Sequence, residues 1–349
     1  MNISYYNTER IKRILLIALL TALVITFFAF AENKNLEDIE LALLVGFIIG
    51  IAVGILEEFI FVGKFRKVSL IWTIILKSSL YTLGIGLFFV VFVYLFVHFE
   101  SIQYERFVIF LTEGEFFRAV LYTFIAVDFV MVFNQYQKFL GNDVLFFYTS
   151  GKYQKPEHEE RIFMFLDISS STELAEIMEP DQYFSFINDF FHDLSEPILR
   201  TSAKIYQYVG DEVVFTWKLK EGIKNNNCVK LFFLIKEEIS NKRNTYLKKY
   251  GRIPEYKAGL HFGEVIAAVV GDIKKELIYN GDVLNTTSRI RSYCTEVNEK
   301  FLVSAELVSR LTNLDEDYLV EPLGISHLKG KKNIIGLFKL DKKESSIEK

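Results

Sequence analysis

The sequence predicts two joined domains of different class, a helical membrane domain of four transmembrane spans over residues 1–138 and an α+β domain of ferredoxin-like order over 159–342. Apolar residues crowd into the first 150 positions, in runs matching the roughly 20 residues that cross a bilayer core. From residue 156 onward the composition is that of an ordinary globular domain. That second half alternates short apolar runs with helical periodicity in the order strand, helix, hairpin, helix, strand. With 349 residues, 51% hydrophobic content and 34 phenylalanines, the chain can bury a sizeable core.

In the first half, spans are expected at 14–31, 41–62, 70–98 and 117–137. The third is long enough that it must tilt or protrude. Arg10, Lys12 and Arg13 precede the first span; Lys64, Arg66 and Lys67 lie between the second and third; Lys138, Lys152 and Lys155 follow the fourth. The other loops carry Glu32, Glu37, Asp38 and Glu40, then Glu100, Glu105, Glu113 and Glu115, with Lys34 and Arg106 as isolated exceptions. Basic loops stay on the cytoplasmic side, so a multi-pass protein of the inner (cytoplasmic) membrane is expected, with both termini and the C-terminal domain in the cytoplasm. Ala29-Phe30-Ala31 resembles a signal-peptidase site, but the apolar stretch before it is long for a signal peptide. Glu57, Glu58, Lys77 and Asp128 are ionisable residues within or near the spans. They suit a sensing or ion-responsive site, with Lys77 and Asp128 paired between the third and fourth spans, or an interhelical polar clamp or snorkelling near the interface. His98 is the only histidine in this half, which excludes a bis-histidine haem within one chain.

Lys155-Pro156 and the charged residues after it mark a domain boundary. The expected linker is 139–158, too short for another folded module, and 343–349 is a charged tail. A net charge of -4 gives no basic signal for nucleic acid. Cys228 and Cys294 lack metal-type spacing and read as buried small residues of a reduced compartment.

In the second half, 161–167 reads as a buried strand and 181–201 as an amphipathic helix. Residues 205–209 and 213–217 flank Gly210-Asp211-Glu212 as a hairpin. A helix is expected over 228–250, ended by Gly251 and Pro254; strands at 255–261 and 264–270 meet at Phe262-Gly263. A helix follows at 283–295, then strand, helix and strand to Leu340.

Two acidic residues end apolar runs: Asp167 in Phe165-Leu166-Asp167-Ile168-Ser169-Ser170-Ser171-Thr172, and Asp211 in Tyr208-Val209-Gly210-Asp211-Glu212. A carboxylate at the end of a buried strand, beside free backbone N–H groups, suits a divalent cation that carries a triphosphate. In Asn285-Thr286-Thr287-Ser288-Arg289, the Asn and Arg lie one helical turn apart on one face. Phosphoryl chemistry on a nucleotide needs such groups.

These motifs, in this order and together with His261-Phe262-Gly263 and Leu328-Lys329-Gly330-Lys331, resemble the catalytic domain of class III nucleotidyl (adenylate/guanylate) cyclases from about Glu159 to Leu340. The spans add a resemblance to membrane-anchored bacterial members. The resemblance implies that Asp167 and Asp211, helped by the Ile168 carbonyl, hold two Mg or Mn ions. It implies a phosphate cradle at Ser169, Ser170, Ser171 and Thr172, with Lys329, or Lys331 in a shifted register, on the terminal phosphates. Asn285 is implied to orient the ribose and Arg289 to stabilise charge at the α-phosphate. Sites in this family form across a dimer interface, so a homodimer with two sites is expected.

The base-contact positions implied by the resemblance are Gln207 and Ile278. Neither matches the family's usual residues for ATP or GTP. Gln207 offers both a donor and an acceptor, which suits adenine N1 and N6, and no carboxylate stands ready for guanine. ATP is therefore the expected substrate, converted to cyclic AMP, with a guanylate or relaxed-specificity cyclase and a non-catalytic nucleotide-binding receptor as alternatives. His261 is read as structural.

Overall fold

The computed structural model describes residues 3–32, 34–61, 68–98, 112, 114–140, 151–326 and 334–343. The chain divides into two compact units, Met1–Ser150 and Gly151–Lys349. The loop residues Lys64, Arg66, Lys67, Glu100, Glu105, Arg106 and Glu113, the motif residues Lys329 and Lys331, and the tail beyond 343 lie outside the described residues.

The first unit contains α1 (Ile3–Ala31), α2 (Leu36–Ile55), α3 (Leu70–His98) and α4 (Glu115–Leu140). Each contains a stretch long and apolar enough to cross a membrane: Arg10–Ala31, Leu36–Ile60, Leu70–Leu87 and Phe116–Tyr136. Asn35 starts α2 by accepting the Asp38 N–H at 2.8 Å, as an N-cap does. Glycines at 46, 50 and 54 recur once per turn of α2, on the side facing α1. A Cβ at Gly50 would come within 2.5 Å of the Ala18 Cα, and one at Gly46 within 2.8 Å of the Ala22 Cα. Small residues thus let the two backbones touch, and dispersion replaces the hydrophobic drive that lipid removes.

Two acids of the second span pair with cations of its neighbours, while Asp128 Oδ1 is buried with no hydrogen-bond partner among the described residues. Helix α2 ends in a π-helical turn, Leu56–Ile60, that carries Glu57 and Glu58. Lys77 Nζ donates to both carboxylate oxygens of Glu57 at 2.8 Å, and the Tyr81 hydroxyl donates to Glu57 Oε1 at 2.8 Å. Arg13 Nη2 meets Glu58 Oε2 at 2.8 Å. The pairing expected between Lys77 and Asp128 is not the one formed: Lys77 pairs with Glu57 and joins the second and third spans, because the extra residue of a π turn swings the two adjacent acids inward.

In the second unit, β1 (Glu157–Ile168) is central. It pairs with β3 (Glu212–Lys218) on one side and β4 (Tyr256–Val270) on the other, both antiparallel. With β2 (Lys204–Val209) at the edge, the run β2-β3-β1-β4 is the ferredoxin-like order. The sheet continues through β6 (Phe301–Ser304), β8 (Ile335–Lys342) and β7 (Tyr318–Ser326), and β5 (Glu276–Asn280) pairs the far end of β4. Along β1, Ile162, Met164, Leu166 and Ile168 enter the main core. There they meet Phe186 and Phe190 of α6 (Pro180–Asp193), Phe232 and Ile235 of α8 (Asn227–Asn241), and Tyr246 and Tyr250 of α9 (Arg243–Tyr250). The period of two sends Arg161, Phe163, Phe165 and Asp167 to the opposite face.

Three expected boundaries change. The helix expected at 181–201 divides at Leu194 into α6 and α7 (Ser195–Thr201), where Pro197, lacking an N–H, sits in the first turn of α7. The helix expected at 228–250 divides at Lys242, whose side chain bonds Asp193 at 2.8 Å. The strands expected to meet at Phe262-Gly263 form one continuous strand, because β1 pairs without interruption from Tyr256 to Ala267. Residues 171–177 and 276–280, without an assigned element in the sequence reading, form α5 (Ser171–Ile177) and β5.

Helix α10 (Asp282–Glu296) lies on the second face of the sheet, directly over Gly259. A Cβ at Gly259 would sit 2.4 Å from the Arg291 N and 2.8 Å from the Thr287 O, both backbone atoms that cannot rotate away. Gly259→Ala should therefore push α10 outward and destabilise this unit by about 1–3 kcal/mol, read as a lower unfolding midpoint. An unchanged midpoint would mean that α10 does not depend on this contact.

Candidate active site

The Asp167 carboxylate stands near the end of β1, with Glu212 of β3 as its direct cross-strand partner. Opposite pairs of an antiparallel ladder share a face, so both acids point toward α10. Asp211 occupies the two-residue turn between β2 and β3. Gly210, at φ +65°, supplies the left-handed first position of that turn, and Val209 pairs with Glu212 to close it. The turn folds Asp211 back toward Asp167, close enough for its charge to raise the Asp167 carboxyl.

Two acids so close repel in the ionised state. Burial pushes the Asp167 carboxyl up and the Arg291 guanidinium pulls it back, while Asp211 and Glu212 push it up again, leaving it at about 7. Burial likewise raises Glu212 above its ordinary value, against the opposing pull of Arg291. Asp211 Oδ2 is buried and has no hydrogen-bond partner among the described residues. An acceptor in that condition is costly in protein alone and fits a bound cation. Among the described residues no group of three or more His, Cys, Asp or Glu side chains is arranged around a metal position. Two carboxylates plus backbone carbonyl fit a hard cation that keeps water and takes phosphate oxygens, as Mg does.

Arg291 is the residue that the sequence reading missed. Its Nη1 lies 3.0 Å from Asp167 Oδ2 and its Nη2 2.6 Å from Glu212 Oε2. Asn285 and Arg289 lie one turn apart on the same helix, Asn285 exposed and Arg289 partly so. At about 100° per residue, Arg289 points roughly 200° away from Arg291, and among the described residues its guanidinium has no ion-pair partner. The helix thus turns one arginine to its own carboxylates and presents the Asn/Arg pair elsewhere.

Ile168 is buried at the strand end, and its carbonyl leads into the Ser169-Ser170 turn. The Ser169 N–H already donates to the Glu255 carbonyl at 2.8 Å. Ser170 takes a left-handed conformation at φ +56°, and Ser171 and Thr172 open α5. The Tyr183 hydroxyl beside this turn is raised above its ordinary value by burial and then by the charge of Asp211. Gln207 is exposed on β2 just beyond a bulge, and Ile278 is 37% exposed on β5. Their sequence neighbours Tyr206 and Tyr279 meet edge to face at 5.1 Å, which ties the two strands together. His261 Nδ1 lies 2.7 Å from Ser304 Oγ. Lys329 lies outside the described residues.

The raised Asp167 carboxyl carries a stability signature. Its folded value, about 7, exceeds its ordinary value of 3.8, so between those pH values the native state binds more protons than the unfolded one. In chelator, this unit should lose stability as pH rises through that window, and Asp167→Asn should flatten the loss. Denaturant midpoints between pH 5 and pH 8 check this.

The profile described as the adenylate and guanylate cyclase catalytic domain matches residues 153–340. Adenylate cyclase 2 of Rhizobium meliloti (strain 1021) is 36% identical over 175 residues, which are 50% of this chain and 48% of that protein. Guanylate cyclase 2D of Rattus norvegicus is 27% identical over 179 residues, 51% of this chain and 16% of that protein. The chain therefore spans half or less of the length of these relatives. Among solved structures, a bacterial light-regulated adenylyl cyclase shares the fold at a TM-score of 0.53 and 16% identity, with 63% of each chain covered. With the profile matched over more than half of its 349 residues, this chain belongs to the adenylate and guanylate cyclase catalytic-domain family.

Proposed function

We propose that this protein is a membrane-bound adenylate cyclase that converts ATP to cyclic AMP and pyrophosphate for intracellular signalling, working as a homodimer with two shared sites. The observation that carries this reading is the Asp167–Asp211 pair, with an Asp211 oxygen buried and unbonded among the described residues. Asp167, Asp211 and the Ile168 carbonyl would hold two Mg or Mn ions. Those ions, when bound, lower the pKa of the ribose 3′-hydroxyl and neutralise the phosphates. Ser170, Ser171 and Thr172 would receive phosphate oxygens, with Ser169 contributing its side chain and Lys329 its charge.

Asn285 would orient the ribose, and Arg289 would stabilise the charge growing on the α-phosphate as the 3′-hydroxyl attacks in line. The opposed directions of Arg289 and Arg291 on α10 support a shared site. An Arg289 turned from its own carboxylates can serve those of a second copy.

The Gln207 amide supports adenine, since it can donate to N1 and accept from N6. The 36% identity to an adenylate cyclase points the same way. A guanylate cyclase is the second reading, favoured by relatives such as guanylate cyclase 2D, and Ile278, which offers packing alone, supports neither base. Metal-dependent pyrophosphate release from each purified nucleoside triphosphate, with the product identified by mass spectrometry, separates the two.

The basic flanks Arg10, Lys12 and Arg13 support an inner-membrane protein with cytoplasmic termini. A C-terminal reporter fusion should register as cytoplasmic, and a periplasmic signal would leave the enzyme without ATP. Asp211→Ala should abolish turnover with either Mg or Mn while the dimer persists; retained turnover would remove the two-metal reading. Asp167→Ala and Arg289→Ala chains should each lose about 100-fold or more in rate, yet regain one working site when mixed. Failure to complement would count against shared sites.

A further inference from the structure

The Arg291 guanidinium has no part in the chemistry proposed above, yet it touches a proposed metal ligand. It bridges Asp167 Oδ2 at 3.0 Å and Glu212 Oε2 at 2.6 Å, and all three side chains are at most a quarter exposed. We infer that Arg291 is a resident counter-ion, a positioning residue that competes with the divalent cation for Asp167 and so sets the metal concentration at which the site fills. The inference rests on the reading of Asp167 and Asp211 as metal ligands.

The competition follows from the geometry. A carboxylate oxygen that accepts a guanidinium N–H presents less free lone pair and less net charge to a metal. The Arg291 backbone lies against Gly259, which places its side chain within reach of both acids. It has a second anchor as well. Glu212 sits directly across the ladder from Asp167, so Arg291 can keep Glu212 while the metal takes Asp167. A role confined to packing would leave metal affinity unchanged, because Glu212 alone would satisfy the arginine. The bridge across both acids gives Arg291 a share in the ligand itself.

The test measures Mn2+ binding to the full-length protein without nucleotide, from the electron paramagnetic resonance signal of free Mn2+. Arg291→Gln should lower the Kd for Mn2+ by roughly tenfold, the scale on which groups adjoining a metal ligand act. That variant strands Glu212, so the same comparison is made between Glu212→Gln and Glu212→Gln/Arg291→Gln, in which no Glu212 carboxylate is left to be stranded. Tighter Mn2+ binding whenever Arg291 is removed supports the inference. Equal or weaker binding in variants that keep the wild-type unfolding midpoint overturns it. Asp211→Asn separates the two readings. If it leaves Mn2+ affinity untouched, the metal site itself is wrong; if it abolishes binding while Arg291→Gln binds as wild type, only the role of Arg291 falls.

Discussion

Two carboxylates crowded into one half-buried corner create the electrostatic problem around which the C-terminal unit is arranged. Asp167 arrives on a strand and Asp211 on a two-residue turn, and repulsion between them must be relieved by a proton, a guanidinium or a cation. The fold supplies part of that relief through Arg291 and leaves an Asp211 oxygen without a hydrogen bond among the described residues. The approach of α10 over Gly259, the register of β1 against β3, and the tight turn at Gly210 all serve to bring these groups together.

A second buried charge on the same sheet face is handled differently. Arg161 is 2% exposed, stacks 4.4 Å over the Tyr279 ring, and bonds Glu159 at 2.9 Å and Thr216 at 3.1 Å. Tyr153, buried and at φ +64°, donates its hydroxyl to Glu159, while its carbonyl accepts the Val269 N–H at 2.9 Å. Here charge, hydrogen bonds and ring stacking satisfy one another, so the cluster holds structure in place. At the Asp167 corner the acids outnumber the bases, Asp167, Asp211 and Glu212 around the single guanidinium of Arg291.

The membrane half follows the same logic in a different solvent. Glycines on α2 bring α1 close, and two acids of the spans are drawn into pairs, Glu57 with Lys77 and Glu58 with Arg13. Lipid cannot hydrate these groups, so partners must come from neighbouring helices. The choice of Glu57 over Asp128 as the partner of Lys77 depended on a π turn that no residue pattern announced.

Short-range pattern explains what could be read directly from the chain. Asp167 ends an apolar run, Asp211 follows a glycine in a hairpin, and Asn285 and Arg289 share a helix face, all features that repeat within a few residues. Apolar length alone predicted the four spanning helices, and the order of elements predicted the ferredoxin-like sheet. Arg291 and Glu212 were not legible because their meeting joins residues far apart in sequence. It requires strand register to turn Glu212 toward the face of Asp167, and a missing Cβ at Gly259 to let α10 descend within reach. The unbroken β4 and the divided helices were hidden for a related reason, since pairing along β1 overrides a glycine and Lys242 carries no breaking signal. Local chemistry determined which side chains could bind a nucleotide and its cations, and only the packing of helix on sheet decided which arginine stands over its own acids and which is turned away.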